Sequence, residues 1–158
     1  MYRLLALAEE KSYRVYILGA HADVLERAVA RLREQYPRLP IAGYRDGWFD
    51  DAESADVCAE IRAAEPDILL VAISSPRKEY WLEEHGRELG VPLMMGVGGA
   101  IDVVAGITKR APAWAQRAGL EWFFRLAQEP RRLLWRYSVG NARFLALLAR
   151  ELARGGAR

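Results

Sequence analysis

Apolar positions along this chain alternate between two rhythms. Residues 14–18 (RVYIL) form a compact run of β-formers followed by Gly19, and residues 39–44 form a second strand candidate before the Asp46-Gly47 turn. Residues 67–73 (DILLVAI) are nearly all apolar, as a strand covered on both faces must be, and residues 91–95 supply a fourth strand. Between these runs the spacing becomes helical. Residues 2–11 predict a short helix. Residues 22–36 place Val24, Leu25, Ala28, Val29 and Leu32 on one stripe, with Arg27, Arg31, Arg33 and Glu34 outside it and Pro37 as the stop. Asp50 or Asp51 is suited to cap a helix that reaches about Ala64 and buries Val57, Cys58 and Ile61. Ser74-Ser75-Pro76 opens another helix, to Leu89, with Pro76 at a first-turn position.

Strands alternating with helices over short connections predict an α/β fold: a Rossmann-like parallel sheet of about four strands with helices on both faces. Sheets of this kind take ligands in the crevice beyond the carboxyl ends of their strands. The loops at residues 19–23, 44–49, 74–79 and 96–102 should therefore share one edge and carry whatever chemistry the chain has.

Composition narrows the picture. With 158 residues, 52% of them hydrophobic and 28% charged, the chain has enough for one ordinary core and does not read as disordered. Cys58 is the single cysteine, which excludes an internal disulfide and any cysteine-rich metal site and fits a reducing compartment. Met1-Tyr2-Arg3 runs into a helical pattern bearing Glu9 and Glu10, so no signal peptide is expected. No uncharged apolar run approaches the ~18 residues of a spanning helix. The net charge of +2 hides an asymmetry: residues 1–108 hold 12 Lys/Arg against 18 Asp/Glu, and residues 109–158 hold 11 against 3. The basic segment also contains Trp114, Trp122, Trp135, Phe123, Phe124, Tyr137 and Phe144. An acidic body with a basic, aromatic tail implies an anionic partner for the tail.

Each ligand-edge loop offers candidates with a plainer alternative beside them. Gly19-Ala20-His21 lacks the three-glycine dinucleotide fingerprint, so a nicotinamide cofactor has little support; His21 is more often a solitary surface histidine than a ligand contact. Asp46, Gly47 and Trp48 put an aromatic where it can stack on a base or a sugar, or equally cap the core. In Ser74-Ser75-Pro76-Arg77-Lys78-Glu79, two hydroxyls, two cations and a helix N-terminus suit a nucleotide's phosphates or sugar hydroxyls. The same residues also suit an ordinary cap with solvated charges. Gly96-Val97-Gly98-Gly99-Ala100 has the form of a phosphate-cradling turn, and Asp102 can accept from a sugar hydroxyl or simply favour the helix dipole. No metal is expected, since His21 and His85 stand far apart in sequence and no His-Glu-x-x-His motif or Asp cluster at ligand spacing is present. Residues 131–153 read as one helix, with Arg132, Arg136 and Arg143 on a broad face beside apolar area.

The segments Ile17-Leu18-Gly19, Tyr44-Arg45-Asp46-Gly47-Trp48-Phe49, Pro66-Asp67-Ile68-Leu69-Leu70-Val71, Ser75-Pro76-Arg77-Lys78-Glu79-Tyr80-Trp81, Gly96-Val97-Gly98-Gly99-Ala100-Ile101-Asp102, Lys109-Arg110-Ala111-Pro112, Gly119-Leu120-Glu121-Trp122 and Gln128-Glu129-Pro130-Arg131-Arg132 run in one order along nearly the whole chain. In this combination the chain resembles the WecG/TagA/CpsF glycosyltransferase family. The resemblance implies transfer of an N-acetylhexosamine, typically N-acetylmannosamine, from UDP to an undecaprenyl-diphosphate-linked sugar in cell-wall or surface-polysaccharide synthesis. It implies a peripheral enzyme at the cytoplasmic, inner face of a bacterial membrane, with the UDP-sugar as donor substrate and no cofactor.

On that reading residues 1–108 form the nucleotide-sugar-binding region, and residues 109–158 an arginine-rich appendage facing membrane or lipid diphosphate. The substrate contacts it implies are Gly19, Asp46, Gly47, Trp48, Ser75, Pro76, Lys78, Glu79, Gly98, Gly99, Asp102, Arg110, Arg131, Arg132 and Arg136. Lys78 stands where the family's loop usually has Gln, and Ser74-Ser75 replaces a glycine-containing lead-in. Family members also carry an N-terminal half, which supplies the proposed catalytic aspartate and is unmatched here, so no catalytic residue is assigned. A homo-oligomer or a separately encoded N-terminal half is the expected partner, and a non-catalytic UDP-sugar or lipid-diphosphate binding module is the alternative reading. Nucleic acid is not expected, because the body is acidic and the tail's basic residues interleave with large apolar ones.

Overall fold

The computed structural model of the chain describes residues 1–109 and 111–128, with the single positions 130, 144, 147 and 150 beyond them. The chain divides into two compact units, Met1–Lys109 and Arg110–Arg158. In the first, α1 (Tyr2–Lys11), β1 (Val15–Gly19), α2 (Ala22–Gln35), β2 (Ile41–Arg45), α3 (Ser54–Ala63), β3 (Ile68–Ala72), α4 (Arg77–Leu89), β4 (Leu93–Gly96) and α5 (Ala100–Val104) follow one another. The strands form one sheet in the order β2-β1-β3-β4, and every neighbouring pair is parallel.

The two-residue period of the strands sorts the core into two layers. Val15, Ile17, Ile68 and Leu70 pack with Leu5, Leu25, Leu32 and Ile101, so α1, α2 and α5 cover one face. Tyr16, Leu18, Leu69 and Val71 pack with Val57, Cys58, Ile61 and Trp81, so α3 and α4 cover the other. This is the Rossmann-like parallel sheet that the alternation predicts. Gly43 in β2 is there for space: a Cβ on it would lie 2.6 Å from the Tyr16 ring. The Tyr16 hydroxyl donates to Glu60 (2.6 Å), to which Arg45 also donates (2.9 Å), and this closes α3 over the β2 edge.

Element ends shift by a residue or two from the sequence pattern, and α3 shifts most. The Asp50 carboxylate accepts from the Glu53 N–H (3.0 Å) while Glu53 accepts from the Asp50 N–H (2.9 Å). This reciprocal bracket caps a turn of its own, so the helix proper begins at Ser54. On the opposite edge β4 is largely exposed, Leu93 and Met95 included, and among the described residues no strand pairs with its outer side.

In the second unit, α6 (Ala113–Arg117) and α7 (Glu121–Gln128) are short. Gln116 donates to the Ala111 carbonyl at 2.6 Å. Trp114, Trp122 and Phe123 are exposed, the last two in an edge-to-face pair at 5.8 Å. The helix expected over residues 131–153, with Arg131, Arg132, Arg136 and Arg143, lies outside the described residues, as does Arg110. No helix among the described residues is long and apolar enough to cross a membrane.

Candidate functional site

Strand order places the site. The chain leaves β1 toward β2 on one side, whereas β3 and β4 lie on the other, so a crevice opens beyond the carboxyl ends of β1 and β3. The backbone there is closely packed. Gly19 has φ +122°, and a Cβ on it would lie 2.5 Å from the carbonyl carbon of Ala72, so only glycine fits. Ala20, with φ +63°, is a non-glycine residue in the left-handed region, held by its N–H to the Ala72 carbonyl (3.3 Å) and by its carbonyl to the Gly47 N–H (2.9 Å). A Cβ on Gly47 would come within 3.0 Å of Gly19 Cα. The ends of β1 and β3 and the loop after β2 are thus held close together around Gly19 and Gly47.

On this platform the Asp46 carboxylate accepts from the Trp48 N–H at 2.8 Å, an Asx turn that sends Trp48 outward, 72% exposed. Trp48 does not cap the core. Its ring lies 4.9 Å from that of His21, tilted by 42°. His21 therefore has an aromatic partner, which the sequence conceals because 27 positions separate the two; the clue is that both follow the ends of neighbouring strands.

The neighbouring cations Arg77 and Lys78 serve different ends. Arg77 reaches back to the β2 loop, donating from Nη1 to the Gly47 carbonyl (3.3 Å) and from Nη2 to the Phe49 carbonyl, with its guanidinium 4.7 Å from the Phe49 ring centre. It is a strut. Lys78 stays at the edge: its ammonium lies 3.3 Å from Ser75 Oγ and 3.1 Å from Glu79 Oε1, and Ser75 donates to the same Glu79 oxygen at 2.7 Å. Hydrogen bonds from Ser75, then from Lys78, hold the Glu79 carboxyl below its ordinary range. The Lys78 stem lies across the end of β4, where a Cβ on Gly96 would meet its Cε at 2.8 Å. Pro76 is the residue before the first turn of α4.

The glycine loop after β4 is only partly available as a donor cradle. The N–H groups of Val97 and Gly98 both point to the Val71 carbonyl, at 2.9 and 3.4 Å. Gly98 takes φ +47° with open space beside it, Gly99 precedes α5, and half-buried Asp102 stands in that helix. The Asp102 carbonyl accepts from Ile107 and Thr108, which folds the segment after α5 back onto it.

The body is a doubly wound α/β fold with polar and aromatic groups gathered at its switch point, the place where sheets of this kind take ligands. The chain matches the Glycosyl transferase WecG/TagA/CpsF family over residues 1–158, and it belongs to that family. It is 34% identical over 148 residues to the N-acetylglucosaminyldiphosphoundecaprenol N-acetyl-beta-D-mannosaminyltransferase of Bacillus subtilis (strain 168), covering 94% of this chain and 56% of that protein. The proteins of the same name from Bacillus spizizenii and Staphylococcus aureus (strain MW2) are 34% and 32% identical, over 95% and 82% of this chain and 57% and 50% of theirs. The chain thus spans about half the length of the curated relatives it matches.

Proposed function

We propose that this chain is the donor-binding and acceptor-facing part of a glycosyltransferase. In this reading it moves an N-acetylhexosamine, N-acetylmannosamine for choice, from UDP to an undecaprenyl-diphosphate-linked sugar in cell-wall or surface-polysaccharide synthesis. The observation that carries the reading is Lys78, whose ammonium stands with Ser75 and Glu79 at the start of α4 while its stem bridges to Gly96 at the end of β4. A cation and a helix N-terminus on one side of the switch crevice suit a diphosphate. Trp48, with the His21 ring tilted against it, offers an aromatic face for the uracil. Gly98, Gly99 and Asp102 complete the pocket around the sugar.

Glu79 is best suited to orient hydroxyls. Its carboxylate is stabilised by Ser75 and Lys78, which makes it a weaker base than a free carboxylate and a poor candidate to deprotonate the acceptor. The basic second unit takes the acceptor side: Trp114, Trp122 and Phe123 enter the interface of an anionic bilayer, and Arg110, Arg131, Arg132 and Arg136 approach the lipid diphosphate. The enzyme then works as a peripheral protein on the inner face of the membrane, and the β4 edge, unpaired among the described residues, favours association of two copies.

Calorimetric titration with UDP and UDP-N-acetylmannosamine tests the donor site. Binding that weakens in both Lys78→Ala and Trp48→Ala supports it, and full affinity in both variants places the nucleotide elsewhere. Transfer of radiolabelled sugar to a lipid-diphosphate acceptor tests the reaction.

A further inference from the structure

Outside the ligand edge, one cluster brings together groups of a chemistry that the crevice does not use. Cys58, fully buried on α3, faces His85 and Glu88 on α4, and one ligand atom from each lies within 4.8 Å of the other two. His85 Nδ1 is 3.2 Å from Glu88 Oε1, and the Cys58 thiol is hydrogen-bonded to the Glu88 side chain. The other ring nitrogen of His85, Nε2, faces Glu84 Oε2 at 4.0 Å. His85 and Glu88 lie six and nine residues along α4 from Glu79, roughly 9 Å or more down the helix from the nearest residue of the candidate sugar-nucleotide site. The trio is therefore separate from that site.

We propose that Cys58, His85 and Glu88 form a binding site for a zinc-class divalent cation that clips α3 to α4. A thiolate, an imidazole and a carboxylate are a donor set that zinc takes readily, with water in the fourth position. Tetrahedral zinc sets its ligand atoms about 3.3–3.6 Å apart, so the widest present spacing has to close by roughly an ångström. One thiolate and one carboxylate neutralise the ion's two charges, and the thiol proton leaves to solvent as the metal–sulfur bond forms. Glu84 is placed to accept from Nε2–H, the partner that orients a metal-bound imidazole. Arg62 on α3 also acts on Cys58 and Glu88 and adds a positive charge beside the cluster. Without a metal, burial and the Glu88 carboxylate push the thiol up to about 12, so it keeps its proton and is no nucleophile. The sequence hint is His85-x-x-Glu88 at helical spacing; that Cys58 stands opposite is decided by how α3 packs on α4.

Because Cys58 is the only cysteine in the chain, a thiolate-to-cadmium charge-transfer band reports on it alone. The metal-stripped full chain titrated with Cd²⁺ should develop this band to saturation at one equivalent, lose it on addition of Zn²⁺, and melt at a higher temperature with Zn²⁺ than without. Cys58→Ala should abolish the band. Glu88→Gln, at an exposed side chain that can change without loss of fold, and His85→Asn should each weaken Cd²⁺ affinity on the order of tenfold or more. Absence of the band overturns the proposal, as does a band of equal affinity in Glu88→Gln and His85→Asn, which would mean a thiol binding cadmium without its neighbours.

Discussion

The two units of this chain differ in where they put tryptophan and phenylalanine. In Met1–Lys109, Phe49 and Trp81 are buried in the core, and Trp48 is the one tryptophan turned outward, at the mouth of the crevice. In the described part of Arg110–Arg158, Trp114, Trp122 and Phe123 are all exposed. Charge follows the same division, acidic over residues 1–108 and strongly basic over 109–158. Phe49 and Trp81 stabilise the body they are buried in, whereas exposed rings in a basic segment gain only when another surface covers them. The contrast indicates that substitutions in the first unit should act on folding or on nucleotide binding, and substitutions in the second on attachment.

The largest break should come at Gly19. Gly19→Val forces a branched side chain into the Ala72 backbone at φ +122°, and the strain and overpacking should cost about 3 kcal/mol or more, read as a fall in the urea midpoint. Next is the opposite unit. Replacing Trp122 and Phe123 together by alanine should lower co-sedimentation with anionic vesicles by on the order of tenfold or more, from about 1.5 kcal/mol or more of lost apolar burial per ring. Its melting temperature should hardly move, since exposed changes stay within about 0.5 kcal/mol. A sharp loss of stability instead would mean that these rings complete a core.

The neighbouring cations sharpen the comparison within the first unit. Arg77→Ala should cost about 2 kcal/mol of stability through two lost carbonyl hydrogen bonds and the Phe49 contact. Lys78→Ala should cost less stability than Arg77→Ala and weaken UDP binding by about tenfold or more, the worth of a charge-assisted hydrogen bond. Equal effects on both readouts would erase the distinction between strut and ligand group. The smallest effect concerns Glu79. Its folded-state pKa is depressed, so the stabilisation it contributes is present above the ordinary carboxylate range and is lost as pH falls through the folded value. In Ser75→Ala the carboxyl resonance should titrate at higher pH than in the wild type, followed by NMR.

Much of this architecture is written locally. Whether a segment alternates with period two or 3.6 depends on which faces are buried, and a run such as residues 67–73 reveals a strand covered on both sides. The strand–helix alternation then restricts the sheet to parallel pairing and the loops at residues 19–23, 44–49, 74–79 and 96–102 to one edge. Gly19 and Asp46-Gly47 were legible for the same reason, since turn chemistry resides in a few consecutive residues.

What the sequence could not contain is the outcome of packing elements that are far apart along the chain. Arg77 and Lys78 are adjacent and alike in charge, yet one is drawn to the Gly47 and Phe49 carbonyls because α4 begins beside the β2 loop, and the other remains at the crevice. The pairing of His21 with Trp48 follows from β1 and β2 being neighbours in the sheet. The meeting of Cys58 with His85 and Glu88 follows from α3 and α4 sharing a face. The sequence by itself determined the elements, their parallel arrangement and the edge that carries chemistry, because local burial patterns encode these. Only the tertiary structure decided which partners each charge meets, because that depends on distances between elements, and strand order and helix packing set those distances.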